Sequence, residues 1–465
     1  MKKMLLSLSA LLLTLPMKAQ SPSGYNELEA VSLMKTIQGT PFERTTHPEA
    51  QWYPKAGLGL FIHWGIHCVT GTDPSWSMLS NVPWLKNDPP VKPQKYYKLA
   101  EEFQPGRYDA EKWVLAAKNA GFQYVVVTAK HHDGYCLWPT NHGTYNTKNY
   151  MQGRDLLRPL VDACRKYGLR IGLYFSPRDW SNPDYPMPMP FKDHDYAQQI
   201  KGNRYPDGTN QRQFDKFFDY TVGQLSELLT RYGKIDVIWF DGIDWPGVNT
   251  HHEQLHAWLR ALQPEIIINP RWETNEEGKS FGDFRTEEIA WRKRMTEGRP
   301  YAPGVWWEFN ETWSGHWGYS PGARFRDINT VIAALVYARS YGGNYLPDVG
   351  PQPDGEMRPG FYDACVQLGQ WMDINKESVV GTSDFDDWNN LCNVPLTRRG
   401  STVYAHLLKD LPGEVKLQWK EKPRKVVLLS DGKEVPYSYK KGQLLIRLEP
   451  SRRGSADDVV KMVFE

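Results

Sequence analysis

Residues 234–245 read KIDVIWFDGIDW: an apolar run through Ile235, Val237, Ile238, Trp239 and Phe240, broken abruptly at Asp241-Gly242. Apolar side chains on both faces suit a strand buried within a parallel sheet. A carboxylate directly after such a strand has two readings. It is a turn or cap residue before the next element, or a reactive group at the C-terminal mouth of an α/β barrel, where strand ends carry the chemistry. The other strand ends decide between them.

Working outward, the same rhythm recurs. Residues 58–63 (LGLFIH) predict a strand ending in His63-Trp64-Gly65, and 124–129 (YVVVTA) a buried strand ending in Lys130-His131-His132-Asp133-Gly134. Residues 170–175 predict a strand followed by Ser176-Pro177-Arg178-Asp179-Trp180, and 265–269 one followed by Pro270-Arg271-Trp272. Helices are expected over 95–103, 110–120, 156–167, 214–232 and 255–263, with Gly121, Gly168 and Gly233 as stops. Strands alternating with helices imply a parallel sheet. Polar and aromatic motifs follow the strands rather than precede them, the signature of a (β/α) TIM-like barrel. No Gly-rich phosphate fingerprint follows the first strand, which counts against a nucleotide-binding open sheet. After about Gly381 short strand-like runs separated by turn residues replace this rhythm, as in 403–407, 415–419, 425–429, 444–448 and 459–464. They predict a C-terminal β-sandwich. The expected division is a leader over 1–20, a barrel over 21–380 and a sandwich over 381–465.

The leader expectation rests on Met1-Lys2-Lys3, an apolar run from Met4 to about Pro16, and a small residue, Ala19, near a cleavable position. The run is too short for a comfortable membrane span. It predicts export, to the periplasm in a diderm bacterium and to the medium otherwise. The five cysteines, Cys68, Cys136, Cys164, Cys365 and Cys392, are widely spaced with no CxxC pair, so neither a zinc motif nor a disulfide scaffold is expected. A net charge of +2 over 465 residues gives no reason to expect a nucleic-acid partner.

The 19 Trp and 25 Tyr are the compositional anomaly. They serve as core, or they stack on the apolar face of a pyranose while His, Asp and Asn bond its hydroxyls. His131-His132-Asp133 has the residue types of a metal site, but neighbours in an extended stretch point opposite ways, so no metal and no cofactor is expected. His251-His252 falls in a polar loop and reads as surface. Carboxylates framed by His, Trp, Tyr and Arg remain, and they suit glycoside hydrolysis by a carboxylate pair.

Seven stretches, in order, resemble family 29 glycoside hydrolases, the retaining α-L-fucosidases: LGLFIHWG at 58–65, AKHHDGYCLWPT at 129–140, YFSPRDW at 174–180, IWFDG at 238–242, GDFRTEE at 282–288, WWEFNETWSGHWGY at 306–319 and GGNYLPDVGPQPDG at 342–355. The resemblance spans about residues 45–360 and implies a barrel followed by a sandwich, acting on fucosylated glycans. It implies Asp241 as nucleophile and Glu288 as acid/base, with Glu308 the competing candidate and Glu287 an adjacent alternative. It assigns sugar binding to His63, Trp64, His131, His132, Tyr174, Trp239 and Arg271. Trp76, Trp306 and Trp317 either line the aglycone side or belong to the core. Two departures stand out: Ser75 where many members carry a sugar-binding Glu, and Asp348 where an Asn is usual. The first leaves a fucose relative such as α-L-galactose as an alternative substrate. A carbohydrate-binding protein without turnover is the remaining alternative, which the intact carboxylates disfavour.

Overall fold

The computed structural model describes residues 22–85, 90–185, 211–242, 248–272, 282–288, 298–383, 385, 387–454 and 456–465. The expected leader lies outside the described residues.

Eight parallel strands form one curled sheet: β1 (Gly59–Ile62), β2 (Tyr124–Lys130), β3 (Arg170–Phe175), β4 (Val237–Phe240), β5 (Ile267–Ile268), β6 (Arg285–Glu288), β7 (Trp307–Thr312) and β8 (Asn344–Val349). Their order is β5-β4-β3-β2-β1-β8-β7-β6, the cyclic order of a TIM-like barrel opened between β5 and β6. Asp283 bridges that seam. Its backbone N–H donates to the Ile268 carbonyl at 2.7 Å, and its carboxylate accepts from the Ile268 N–H at 2.7 Å.

Side chains along a strand alternate between faces. Tyr124 and Val126, Phe61, Tyr174, Val237 and Trp239, and Leu346 point inward and form a core of their own inside the barrel, joined by Tyr53, Phe284 and Trp306. Leu60, Val125, Val127, Ile171, Leu173 and Ile238 point outward and pack under the helices in the larger core. The helices fall close to expectation: Pro93–Glu102, Ala110–Asn119, Leu157–Tyr167, Gln211–Arg231 and His252–Leu262, with two more at Ile328–Ser340 and Pro359–Asn375. Gly168 ends its helix in the left-handed region at φ 69°, which spares an L side chain the clash with the following carbonyl. The segment before β1 contains a helix, Glu27–Thr36, tied down where the Trp258 indole N–H donates to the Ala30 carbonyl at 2.7 Å.

The C-terminal strands β9 (Leu396–Arg399), β10 (Thr402–Leu408), β11 (Glu414–Gln418), β12 (Lys425–Leu428), β13 (Tyr437–Lys440), β14 (Gln443–Arg447) and β15 (Asp457–Val463) make two antiparallel sheets, β12-β15-β10-β9 and β11-β14-β13. Alternating burial in β11 (Glu414–Gln418) and β14 (Gln443–Arg447) turns Val415, Leu417, Leu444 and Ile446 onto the shared apolar core. All five cysteines are buried and free. No helix among the described residues is long and apolar enough to cross a membrane.

Candidate active site

The C-terminal ends of the barrel strands surround a cavity of about 540 Å³, with Asp241, Glu288, Arg271, His63, His131, Tyr174, Trp239, Trp76 and Trp317 on its wall. Asp241 stands one residue past β4. Its Oδ1 accepts from Arg271 Nη1 at 2.7 Å and its Oδ2 from the Tyr174 hydroxyl at 2.8 Å. Burial works against its charge, but the Arg271 cation, the Tyr174 hydroxyl and the Arg178 cation outweigh it and hold the carboxyl below its ordinary value. The Arg271 guanidinium reaches Glu288 through Nη2 and Thr286 Oγ1 through Nε, the latter at 3.1 Å. One planar fork therefore binds both carboxylates at the rim.

Both histidines after β2 face this cluster. The segment is a turn, closed by the Gly134 N–H on the His131 carbonyl at 3.0 Å, and not an extended chain. The expectation that neighbouring side chains diverge fails there for that reason: the two rings lie 4.2 Å apart. Ser75 Oγ donates to Asp133 and accepts the Asp133 N–H, so its contact with His131 Nδ1 at 2.6 Å is received from the imidazole. Ser176 Oγ donates to the Arg178 carbonyl and accepts from His132 Nδ1 at 2.6 Å in the same way. Burial lowers both imidazoles well below their ordinary value, keeping them neutral. Each is thereby left with an unprotonated Nε2; His131 lines the cavity, and His132 Nε2 lies 3.7 Å from Asp241 Oδ2. His63 is fixed by its Nδ1, 2.6 Å from Asp348 Oδ1.

Ligand atoms of His131, His132 and Asp241 lie within 4.8 Å of one another, the grouping a metal ion would use. Both Asp241 oxygens are already engaged, however, and Arg271 supplies a positive charge beside them. That donor set suits an organic substrate better than a cation.

An aromatic floor completes the site. Trp239, Tyr174 and His131 are near-parallel, with centroids 5.5 and 5.4 Å apart, and Arg271 lies over Trp239 at 5.0 Å. Glu308 sits underneath and is fully buried. It accepts from the Trp239 indole N–H at 3.1 Å, from Tyr53 at 2.9 Å and from Tyr124 at 2.5 Å. Burial raises its carboxyl despite those three donors, the shift expected of a proton donor, yet it does not line the cavity. Geometry takes precedence over pKa in choosing an acid.

The remaining sequence candidates sort by strand alternation. Trp64 follows inward-facing His63, points out, and packs on Phe103, Tyr108 and Trp113, so it does not reach the cavity. Glu287 turns away from Glu288 toward the Tyr301 hydroxyl. Trp306 belongs to the core inside the barrel, beside Tyr53 and Phe284. His251 bonds Asp215 at 2.9 Å, away from the site. Arg178, Asn310, Thr312 and His316 line the cavity without having been singled out from sequence. Their signal was adjacency: each lies within a stretch that supplied another candidate.

A carboxylate pair under one guanidinium, in a barrel-mouth cavity floored by aromatic rings, defines a glycoside hydrolase. The sequence profile described as alpha-L-fucosidase matches residues 31–377. The tissue alpha-L-fucosidase of Rattus norvegicus is 30% identical over 385 residues, covering 78% of this chain and 77% of that protein. Among solved structures, alpha-L-fucosidase isoenzyme 1 from Paenibacillus thiaminolyticus superposes with a TM-score of 0.73 at 29% identity, over 90% of this chain and 99% of the other. A trapped covalent intermediate of a Bacteroides thetaiotaomicron alpha-L-fucosidase superposes with a TM-score of 0.72 at 26% identity, over 92% and 97%. The chain belongs to the alpha-L-fucosidase family of glycoside hydrolases.

Proposed function

We propose that this chain is an exported, retaining exo-α-L-fucosidase that removes terminal fucose from glycans. The observation that carries the reading is the Arg271 fork holding Asp241 and Glu288 at one cavity. A single guanidinium's span suits the roughly 5–5.5 Å separation of a retaining pair.

Asp241, kept ionised, attacks the anomeric carbon from the face opposite the leaving group. Glu288, once protonated, gives its proton to the glycosidic oxygen as that bond breaks. The covalent glycosyl-enzyme is then opened by water, whose proton returns to Glu288. Trp239 and Tyr174 pack on the sugar's apolar face, and His63, His131 and His132 bond its hydroxyls. Glu308 holds the Trp239 indole from below and gives no proton to the leaving group.

Ser75 is fully buried and spends its hydroxyl on His131 and Asp133 rather than on the cavity. A glycone with a larger C5 substituent, α-L-galactose, is therefore the second substrate to assay. Export rests on the sequence pattern of residues 1–20, and the mass of the mature protein recovered outside the cytoplasm tests it.

Release of p-nitrophenol from its α-L-fucoside, measured for the parent and for Asp241→Ala, tests the reading. Parent activity that the variant lacks, with azide restoring product as the inverted glycosyl azide, is the expected result. Equal release by both removes Asp241 as nucleophile.

A further inference from the structure

Asn310 lies mid-strand in β7, is 1% exposed and borders the cavity. Neither its Oδ1 nor its Nδ2 has a hydrogen-bond partner. Two residues earlier on the same inward face, Glu308 is saturated with donors. An unpaired buried amide costs free energy, and native proteins tolerate few of them. Asparagine is also disfavoured in strands, so propensity does not explain its presence. The register pairs Asn310 with Glu288 on β6, placing it at the height of the rim carboxylates.

We infer that Asn310 is a substrate-binding residue whose amide bonds a hydroxyl of the bound glycone. A hydroxyl donates and accepts, as the two amide atoms do, whereas a ring oxygen only accepts. The occupant of the cavity thus supplies the partners that the protein withholds. A site built this way rejects a sugar lacking that hydroxyl, because the amide is then left unpaired in the complex. The inference rests on the glycosidase reading above.

The test compares parent, Asn310→Ala and Asn310→Leu on p-nitrophenyl α-L-fucoside and on its 2-deoxy, 3-deoxy and 4-deoxy analogues, with thermal unfolding of each protein. Both substitutions are expected to lower kcat/KM on the full sugar by about 10- to 100-fold. The penalty should vanish on one of the three deoxy sugars, which names the hydroxyl. Asn310→Leu, of similar volume, should unfold at or above the parent's temperature while losing activity, since it removes unpaired polar atoms. Activity within twofold of the parent on the full sugar overturns the inference. So does an equal penalty on all four sugars, or a Leu variant whose lost activity tracks lost stability. A parent inactive on fucosides but active on α-L-galactosides corrects the glycone alone, and the comparison is repeated on that series. A parent active on neither overturns the glycosidase reading and this inference together.

Discussion

Glu288 and Glu308 occupy neighbouring strands of one barrel and differ in what they touch. Glu288 is at the rim beside Arg271, with its side chain 41% exposed, and a glycosidic oxygen can reach it. Glu308 is sealed under Trp239 by three donors. Leaving-group chemistry separates their roles. Glu288→Ala should lose about 10²- to 10⁴-fold on an oligosaccharide, which needs protonation, and far less on a dinitrophenyl fucoside, which does not. Glu308→Gln should lose the same factor on both substrates and also unfold earlier, because a neutral amide replaces the acceptor shared by three buried donors. A Glu308 variant with the leaving-group dependence expected of Glu288 would exchange the assignments. Asp133 carries a separate, pH-dependent signature. It is buried, accepts from Ser75, Tyr96 and the Tyr135 N–H, and burial pushes its carboxyl up to about 6. A folded value above the unfolded one means the native state holds the proton longer, so this group's contribution is fullest below about 4 and is lost as pH rises through about 6. Asp133→Asn removes that loss. Its unfolding free energy relative to the parent should improve by up to about 3 kcal/mol between pH 4 and pH 7. Denaturant titrations at the two pH values read the difference directly, and a pH-independent offset would discard the linkage.

At the scale of elements, the loop after β7 and the end of β8 are in backbone contact. A Cβ on Gly350 would fall 1.8 Å from the Gly318 carbonyl carbon, so any larger residue must push that loop away. Trp317 precedes Gly318 and lines the cavity, packing 5.2 Å from His63. Gly350→Ala should therefore lower kcat/KM by about 10- to 100-fold through a displaced wall. Most of the change should appear in KM, and an unaltered KM would show that the loop yields without moving Trp317. The elements themselves were unevenly legible. β2 and β4 announce themselves because Val, Ile and aromatic residues fill both faces, one against the helices and one inside the barrel. β6 reads Arg-Thr-Glu-Glu and is half-buried along its length, so no apolar signal marks it. β7 and β8 carry Glu308, Asn310, Thr312 and Asp348 at buried inward positions, with Leu346 the apolar exception, and Pro347 interrupts the pattern further. In the site, the sudden end of an apolar run drew attention to Asp241 but left a turn or cap residue equally open, and the polar motifs after the other strands were needed to weigh the two. Trp64 was misplaced because adjacent residues at a strand end face opposite ways, and a sequence alone does not say which faces the cavity.

The whole molecule is joined at a buried cation. Arg339, at the end of the helix Ile328–Ser340, is fully buried. Its Nη1 donates to the Pro54 carbonyl at 3.1 Å and the Gly343 carbonyl at 2.7 Å, reaching the segment before β1 and the start of β8. Its Nη2 donates to the Thr382 carbonyl at 2.6 Å, on the chain that leads to the antiparallel sheets. The helix Pro359–Asn375 adds a second tie where the Trp371 indole N–H donates to the Asp457 carbonyl at 3.2 Å. The helix Pro359–Asn375 thus bonds a sheet strand directly and Arg339 anchors the chain that leads to the sheets, so the two parts should unfold together. Arg339→Met keeps much of the apolar stem but leaves three carbonyls in three segments without their donor. It should cost about 3 kcal/mol or more, since hydrogen bonds to charged groups are the expensive ones to lose. Equilibrium unfolding followed by tryptophan fluorescence and by far-ultraviolet circular dichroism gives coincident transitions if the parent is one cooperative unit. The variant should then move both midpoints together. Separate midpoints in the parent, or a shift confined to one signal in the variant, would mean the sheets fold independently and Arg339 steadies only the segment before β1.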